Sequence, residues 1–189
     1  LYVSDRLRDG AARAVRELRE MGLEVWMMTG DNKTAAEAAA AECGIKNTLS
    51  GVMPEDKYSA VKKLRAEGKC VAMVGDGIND APALAAADVS IAMGGGTDVA
   101  MDCAGIVLPG DRIEKVVTAL NISKATMRTI RVNLLWAALY NLICIPAAAF
   151  GIVNPSMAAA AMTLSSNGVL LNSIRLQKAE ERKNEKRNK

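Results

Sequence analysis

The stretch VGDGINDAPAL, residues 74–84, completes the apolar, β-rich run CVAMV (70–74) and leads into a helical segment. Asp76 lies just past the predicted strand between two glycines, and Asn79 and Asp80 follow within one turn. Two carboxylates so close together repel each other unless a cation lies between them, and oxygen ligands beside a helix N-terminus suit Mg²⁺ bound alongside phosphate. The alternative interpretation is a glycine-flanked turn in which an aspartate caps the helix.

Short β-rich runs alternate with amphipathic helical segments on both sides of this stretch, a pattern that predicts a parallel sheet covered by helices. Strands are predicted at 24–28, 70–74, 89–93 and 105–108, with 1–4 as the remnant of another. Helices are predicted at 9–21, 33–43, 55–67, 78–86 and 111–131. Because parallel α/β folds bind ligands at the carboxyl ends of their strands, the residues that follow each strand are the candidates for chemistry.

A second strand end also carries polar groups. Thr29, Gly30 and Asp31 follow the run EVWMM and offer a hydroxyl, a backbone that a ligand can approach, and a helix start that attracts an anion. The same residues also suit an ordinary turn and helix cap. Lys57 opens a further helix and could supply a point charge to a phosphate oxygen, or be a solvated surface lysine.

The charged residues are unevenly distributed, and none lies between residues 132 and 174. The tail at 175–189 holds 7 basic and 3 acidic residues and accounts for the net charge of +3. The excess positive charge therefore predicts a membrane surface as partner and no nucleic acid. The chain has no histidine, which excludes histidine-based zinc sites and Ser-His-Asp triads within it. Its four scattered cysteines favour a reducing cytosol without disulfides.

The uncharged stretch is long enough for two membrane helices. Residues 132–150 and 155–174 each reach the length that a bilayer requires, and 151–155 form a turn cluster between them. Basic residues flank both outer ends of this hairpin, so the positive-inside rule predicts a cell-membrane protein with both termini in the cytoplasm. We expect the basic tail to be disordered near anionic headgroups. The alternative is a buried helical hairpin of a large soluble protein.

The hairpin carries an unusual polar load for lipid-facing helices. Tyr140 and Cys144 share one helix face, and Met162 and Ser166 share another, with Ser165 adjacent. Such faces are candidates for a transport path, although small and hydroxylated residues also serve helix packing. A thioether suits Cu⁺, whereas Zn²⁺ favours carboxylate or imidazole ligands, and neither of these occurs between 132 and 174. Within the first helix, Pro146 is expected to open the backbone locally.

Four motifs carry a resemblance to a known family: TGDN (29–32), PEDK (54–57), VGDGINDAPAL (74–84) and GTDVA (96–100). In this order and spacing they resemble the phosphorylation domain of P-type ATPases, which has the haloacid-dehalogenase-like fold, a parallel sheet with helices on both faces. Tyr140-Asn141 and the M-x-x-S-S run at 162–166 resemble the heavy-metal branch that moves Cu⁺. After the serines, Asn167-Gly168 depart from the family's usual run.

The resemblance implies a domain order and a role for each matching residue. It implies a partial phosphorylation domain at 1–120, a stalk helix at 121–131, a transmembrane hairpin at 132–174 and a basic cytoplasmic tail at 175–189. In the phosphorylation domain, Thr29 and Gly30 would contact the phosphoryl group, Asp31 would shape their loop, Lys57 would neutralise phosphate charge, Asp76 would hold Mg²⁺, and Asn79 and Asp80 would complete the network. In the membrane, the Cu⁺ site would be lined by Tyr140, Asn141, Met162 and Ser166. Cys144 is added from its spacing to Tyr140 and is equally compatible with packing.

The resemblance covers residues 1–176, which correspond to only the last quarter of such an enzyme. It implies ATP as substrate, Mg²⁺ as cofactor, Cu⁺ or Ag⁺ as the transported ion, and the remaining domains of the ATPase as partners. Because the chain has no Asp-Lys-Thr-Gly segment, whose aspartate is phosphorylated in the family, we expect it not to couple ATP hydrolysis to transport alone. The alternatives are a truncated partner or regulatory subunit of a pump, and a membrane-tethered phosphatase.

Overall fold

A computed structural model describes residues 7, 9–94, 98–152 and 154–187 of the chain. The chain divides into two units, Leu1–Thr118 and Ala119–Lys189, and each has its own architecture. The strand predicted at 1–4 lies outside the described residues, as do Gly96 and Thr97 of the fourth motif.

The first unit alternates helices and strands. Its strands are β1 (Trp26–Met28), β2 (Asn47–Leu49), β3 (Ala72–Gly75), β4 (Val89–Met93) and β5 (Ile106–Leu108). Its helices are α1 (Ala11–Glu20), α2 (Lys33–Cys43), α3 (Pro54–Ala66), α4 (Ala81–Ala86) and α5 (Asp98–Asp102), and a 3₁₀ turn at Ile78–Asp80 precedes α4. This alternation confirms the predicted α/β class, while β2 and α5 were not predicted.

The described strands form two parallel sheets. β1 pairs with β2, with Trp26 opposite Asn47. β3, β4 and β5 form the second sheet in that order, with Ala72 opposite Val89 and Ile91 opposite Ile106. All these pairings are parallel, so the residues that follow the paired strands of each sheet meet at one edge of it.

A small apolar core joins α3, α4 and β3. Its buried residues are Val61, Met73, Ala83, Leu84 and Ala86. The alanines of α4 leave little side-chain volume between helices, so α3 can pack closely against α4. Met28 at the end of β1 packs against the same cluster, and this contact fixes β1 relative to β3 although the two strands are not hydrogen-bonded to each other.

The second unit consists mainly of two long helices. The first, α6 (Glu114–Ala149), begins before the unit boundary, runs without interruption through the predicted stalk and continues past Pro146. The second, α7, spans Pro155–Arg187. Within the described residues, α6 is the one helix that is long and apolar enough to cross a membrane. The serines and asparagines of α7 lower its mean hydropathy. Because α7 continues as a helix to Arg187, the expectation of a disordered tail was wrong.

Side-chain amides connect α6 and α7 about halfway along the two helices. The Asn172 amide donates a hydrogen bond to Asn133 Oδ1 at 2.7 Å, and the Asn133 amide donates to Ser173 Oγ at 3.1 Å. Asn154 caps the start of α7 by accepting from the Met157 N–H at 2.8 Å. These contacts make α6 and α7 an antiparallel hairpin.

Candidate functional site

The loop after β1 is held in one shape by its own polar groups. The Thr29 hydroxyl donates to Asp31 Oδ2 at 2.8 Å and accepts from the Asp31 N–H at 3.1 Å. The Thr29 N–H donates to the Leu49 carbonyl at 3.0 Å, and the Val52 N–H donates to the Thr29 carbonyl at 3.1 Å. Both ends of Thr29 are therefore tied to the segment around β2, and Asp31 orients its hydroxyl.

Gly30 lies exposed at the tip of this loop. A Cβ at this position would meet no atom closer than the Val52 carbonyl oxygen at 3.7 Å, which is an ordinary contact distance. Packing within the chain therefore does not require glycine here. Behind the loop, Asn32 Oδ1 accepts from the Ala35 N–H at 3.0 Å and starts α2 directly after the loop.

The end of β3 holds a nearly buried ion pair. Lys57 Nζ lies 2.7 Å from Asp80 Oδ1, and the two side chains are only 16% and 12% exposed. Gly75 makes this arrangement possible, because a Cβ there would lie 2.7 Å from the Asp80 Cβ. The pair places an ammonium group beside the carboxyl end of β3.

The start of α3 explains why Lys57 reaches this position. Pro54 occupies the first turn of the helix, where its missing N–H costs nothing. Asp56 accepts a hydrogen bond from the Met53 N–H at 2.8 Å through its carboxylate and so fixes the first turn. The PEDK motif thus combines a helix start with a lysine aimed at the neighbouring strand.

The two carboxylates of the GDGIND stretch have different surroundings. Asp80 is buried and engaged by Lys57, whereas Asp76 and Asn79 are exposed to solvent. No cluster of three or more acidic or cysteine side chains suited to a metal occurs among the described residues. The donor set fits Mg²⁺, which is commonly held by one or two carboxylates and completes its shell with water and phosphate oxygens.

The short segment 52–57 connects the loop after β1 with the Lys57–Asp80 pair. The Val52 N–H donates to the carbonyl of Thr29, and Lys57, five residues later, contacts Asp80. Residues 52–57 therefore hold the loop after β1 and the end of β3 in one neighbourhood. Of the residues that the sequence suggested from separate motifs, Lys57 and Asp80 are in direct contact.

The predicted metal path is only partly assembled within the hairpin. Tyr140 interacts with the Cys144 thiol one turn away, and Tyr140 and Ser165 line a cavity of about 430 Å³ between α6 and α7. Asn141, Met162 and Ser166 lie on exposed faces of the two helices, and Met162 is 72% exposed. That all of them line one metal path stays a prediction.

Sequence reasoning missed a polar group at the other end of this cavity. Asn133, Asn172 and Arg175 line it there. Asn172 is one of the residues that make up the unusual polar load of the hairpin, whereas the sequence did not single out Asn133. Asn133 and Asn172 lie at similar sequence distances from the turn between α6 and α7, and this spacing could have predicted their contact.

Asp88 and Cys43 are among the groups of the first unit whose pKa is shifted. The Val71 N–H donates to Asp88 Oδ2 at 2.9 Å, and this bond, together with the Arg65 guanidinium 2.8 Å from Oδ1, holds the pKa of Asp88 below its usual value. Burial raises the pKa of the Cys43 thiol, which therefore stays protonated at neutral pH. Neither group lies at the carboxyl ends of the strands.

Comparison with known proteins gives a consistent set of relatives. Residues 1–88 match the family described as haloacid dehalogenase-like hydrolases. The cation-transporting P-type ATPase B of Mycobacterium tuberculosis (strain ATCC 25618 / H37Rv) is 50% identical over 177 residues, which are 94% of this chain and 24% of that protein. The copper-exporting P-type ATPase of Bacillus subtilis (strain 168) is 49% identical over 176 residues, 93% of this chain and 22% of that protein.

A solved structure extends the likeness to three dimensions. The crystal structure of a zinc-transporting PIB-type ATPase in its E2.Pi state superposes with a TM-score of 0.85 at 40% identity, covering 92% of this chain and 28% of that one. The chain spans about a quarter of the length of the curated relatives that it matches.

Proposed function

Over most of its length this chain is a homologue of heavy-metal P-type ATPases, and we propose that it supplies the C-terminal part of a Cu⁺-translocating pump. In this proposal the first unit holds half of the phosphorylation site and the second contributes to the metal path. The observation that carries it is the nearly buried Lys57–Asp80 pair at the end of β3, beside the exposed Asp76.

Lys57 would neutralise the charge of the transferred phosphoryl group. An ammonium group has three N–H donors, and Asp80 takes one of them at 2.7 Å. The carboxylate therefore fixes the direction of the lysine while leaving donors for phosphate oxygens. Asp80 is a positioning residue in this proposal, which is a narrower role than the metal network that the family resemblance implies.

The other phosphate contacts would come from the loop after β1. The Thr29 hydroxyl is oriented by Asp31, and the exposed Gly30 backbone lets an anion approach. Asp76 would hold Mg²⁺, which when bound neutralises charge on phosphate oxygens, and Asn79 would contribute to phosphate binding. Each of these groups is positioned before substrate arrives, as electrostatic stabilisation requires.

The phosphorylated aspartate would enter on an additional strand. Among the described strands, β1 pairs only with β2 and β3 pairs only with β4, so each has one edge without a partner. Met28 of β1 packs against the cluster that contains Met73 of β3, so the two edges belong to one core. A parallel strand between them would end beside both Thr29 and Asp76.

The transported ion is proposed to be Cu⁺, with Ag⁺ as a chemical analogue. Tyr140, Asn141, Met162 and Ser166 would line its path together with helices outside this chain. Residues 132–174 contain a soft thioether but neither carboxylate nor imidazole, which favours Cu⁺ over Zn²⁺. In the cell membrane, α6 and α7 would cross the bilayer with both termini in the cytoplasm.

A truncated partner or regulatory subunit is the second candidate function. The unpaired edges of β1 and β3 favour it, because they could accept a strand from a separate chain as readily as from the same one. Co-purification of the chain with a protein that carries the missing aspartate would distinguish the two.

A chimera tests the proposed function directly. The matched C-terminal part of the Bacillus subtilis copper-exporting ATPase would be replaced by this chain, and the chimera would be assayed for Cu⁺-stimulated phosphoenzyme and for copper tolerance of a copper-sensitive host. We expect both activities, with Lys57→Ala abolishing them and the surface variant Lys46→Ala leaving them intact. Stimulation by Zn²⁺ without Cu⁺ would refute the copper assignment, and equal activity of Lys57→Ala would refute the proposed site.

A further inference from the structure

The cavity between α6 and α7 has a polar end that the proposed metal path does not use. At this end lie Asn133, Asn172 and Arg175, and further along the cavity Trp136, Leu164 and Val169 provide apolar walls. We propose that it binds the headgroup of an anionic phospholipid, with the phosphate at the polar end. This inference rests on the proposed insertion of α6 and α7 into a membrane.

The hydrogen bonds at this end leave more donors than acceptors. The carbonyl oxygen of Asn133 accepts from the Asn172 amide at 2.7 Å, so Asn133 presents its amide side. Each amide group has two N–H donors, of which the described contacts use one, and Arg175 adds a guanidinium. None of the described residues that line the cavity is acidic, so its chemistry suits an anion and not a cation.

The position of the cavity matches that of lipid headgroups. Arg131 and Arg175 are the first charged residues on either side of the uncharged stretch at 132–174, so the polar end lies where the apolar segment stops. Trp136, 62% exposed, lies one turn further into the apolar segment, as expected for an aromatic side chain at the membrane interface. Basic pockets between membrane helices are known binding places for anionic headgroups.

The size and shape of the cavity also suit a phospholipid. Its volume of about 430 Å³ lies within the range of small-molecule sites. Gly168 leaves open space on α7, because a Cβ there would meet no atom within 4 Å. The apolar walls beyond it could contact the glycerol backbone and the first carbons of the acyl chains.

Lipid retention by the full chain tests this inference. The chain would be reconstituted into nanodiscs with equal amounts of phosphatidylglycerol and phosphatidylcholine, and the lipids retained on its release would be counted by native mass spectrometry. We expect one phosphatidylglycerol to be retained in preference. Arg175→Gln should reduce this retention by about tenfold, the effect of losing a charge-assisted hydrogen bond.

Two further variants distinguish lipid binding in this cavity from a general attraction of anionic lipid to basic residues. Arg128→Gln removes a positive charge from α6 outside the cavity and should leave retention unchanged. Asn172→Asp keeps the side-chain size but places a carboxylate in the cavity, and it should abolish the preference. Equal losses for Arg128→Gln and Arg175→Gln would overturn the proposed site, as would displacement of the lipid by millimolar inorganic phosphate.

Failure of the inference can be told apart from failure of the proposed function. A chain that enters phosphatidylcholine nanodiscs but retains both lipids equally would refute the headgroup site and leave the pump assignment standing. A chain that fails to enter any bilayer would refute membrane insertion and the lipid site with it.

Discussion

Lys57 and Asp80 form the most constrained charged pair of the first unit. They lie 23 residues apart in sequence, and α3 and the turn before α4 bring them to 2.7 Å. An ion pair at this depth contributes little relative to an apolar pair, but removal of one partner leaves a poorly solvated charge. The positioning of Lys57 therefore explains the pair better than a gain in stability does.

Replacement of Asp80 by asparagine should lower the free energy of unfolding by about 1–3 kcal/mol, because Lys57 would lose its counter-charge in a largely desolvated place. Urea denaturation of the chain in detergent measures this change. The double variant Lys57→Met/Asp80→Asn should recover part of the loss, since the unpaired charge is then gone. Additive effects of the two substitutions would contradict the coupling.

Gly30 and Gly75 offer a matched pair of alanine variants. Gly75→Ala should destabilise the first unit by about 1–3 kcal/mol, because the new methyl group would overlap the Asp80 side chain. Gly30→Ala should change stability by less than about 0.5 kcal/mol, since space is present. In the chimera, however, Gly30→Ala should still reduce phosphoenzyme formation, whereas unaltered phosphorylation would exclude this loop from the phosphate site.

The strands β3 and β4 are anchored at their starts by Asp88. Its carboxylate accepts from the Val71 N–H, and Arg65 contacts both this carboxylate and the Ala86 carbonyl, the latter at 2.7 Å. These contacts lie at the opposite strand ends from Asp76 and Asp80. One end of β3 is therefore built for stability and the other carries the candidate chemistry.

The lowered pKa of Asp88 predicts acid sensitivity of the first unit. Because the folded state favours the carboxylate, this contribution is complete above the usual aspartate pKa of about 3.9 and is lost as the pH falls through the lower folded value. Asp88→Asn should therefore be less stable than the native chain at pH 7, and the difference should shrink below about pH 4. Unfolding midpoints measured between pH 7 and pH 3 would check this, and a constant difference would contradict it.

The long helices differ from the sequence-based expectation in one respect. α6 joins the adjoining helices predicted at 111–131 and 132–150, but α7 continues as a helix to Arg187, where a disordered tail was expected. Residues such as Lys178, Glu181 and Arg182 are good helix formers, so a helix already nucleated in the apolar segment can propagate through them. The charged composition of the tail did not indicate its backbone conformation.

The molecule as a whole presents two sheets whose neighbouring edges share one core. If the missing strand is supplied from outside residues 1–189, the chain alone has no aspartate to accept a phosphoryl group at this place. The electrostatic groups described above can stabilise charge but cannot replace the nucleophile.

The isolated chain should form no acid-stable phosphoenzyme when incubated with radiolabelled ATP and Mg²⁺. Co-expression with a chain that carries the Asp-Lys-Thr-Gly segment should give labelling of that second chain alone. Label on the isolated chain after acid quenching would falsify the proposed division of the site. The Lys57→Ala variant of the chain should lower the labelling of the co-expressed partner.

The sequence was sufficient to predict the α/β class, the polar strand ends of the candidate site and the uncharged helical hairpin. Each is written in a local pattern: apolar runs followed by glycine and aspartate, a helix start at Pro54, and a long segment without charge. Such patterns involve only a few neighbouring residues, so they can be recognised without knowledge of the fold.

Other features depended on contacts between distant residues. β2 is only three residues long and lacks an apolar alternation, so its pairing with β1 defines it. The different surroundings of Asp76 and Asp80 depend on Lys57 arriving from α3, and the donor-rich end of the hairpin depends on Asn133 meeting Asn172 across the turn. The periodicity of the sequence shows which face of a helix a residue occupies. Which side chain from another element contacts that residue depends on how the elements pack together.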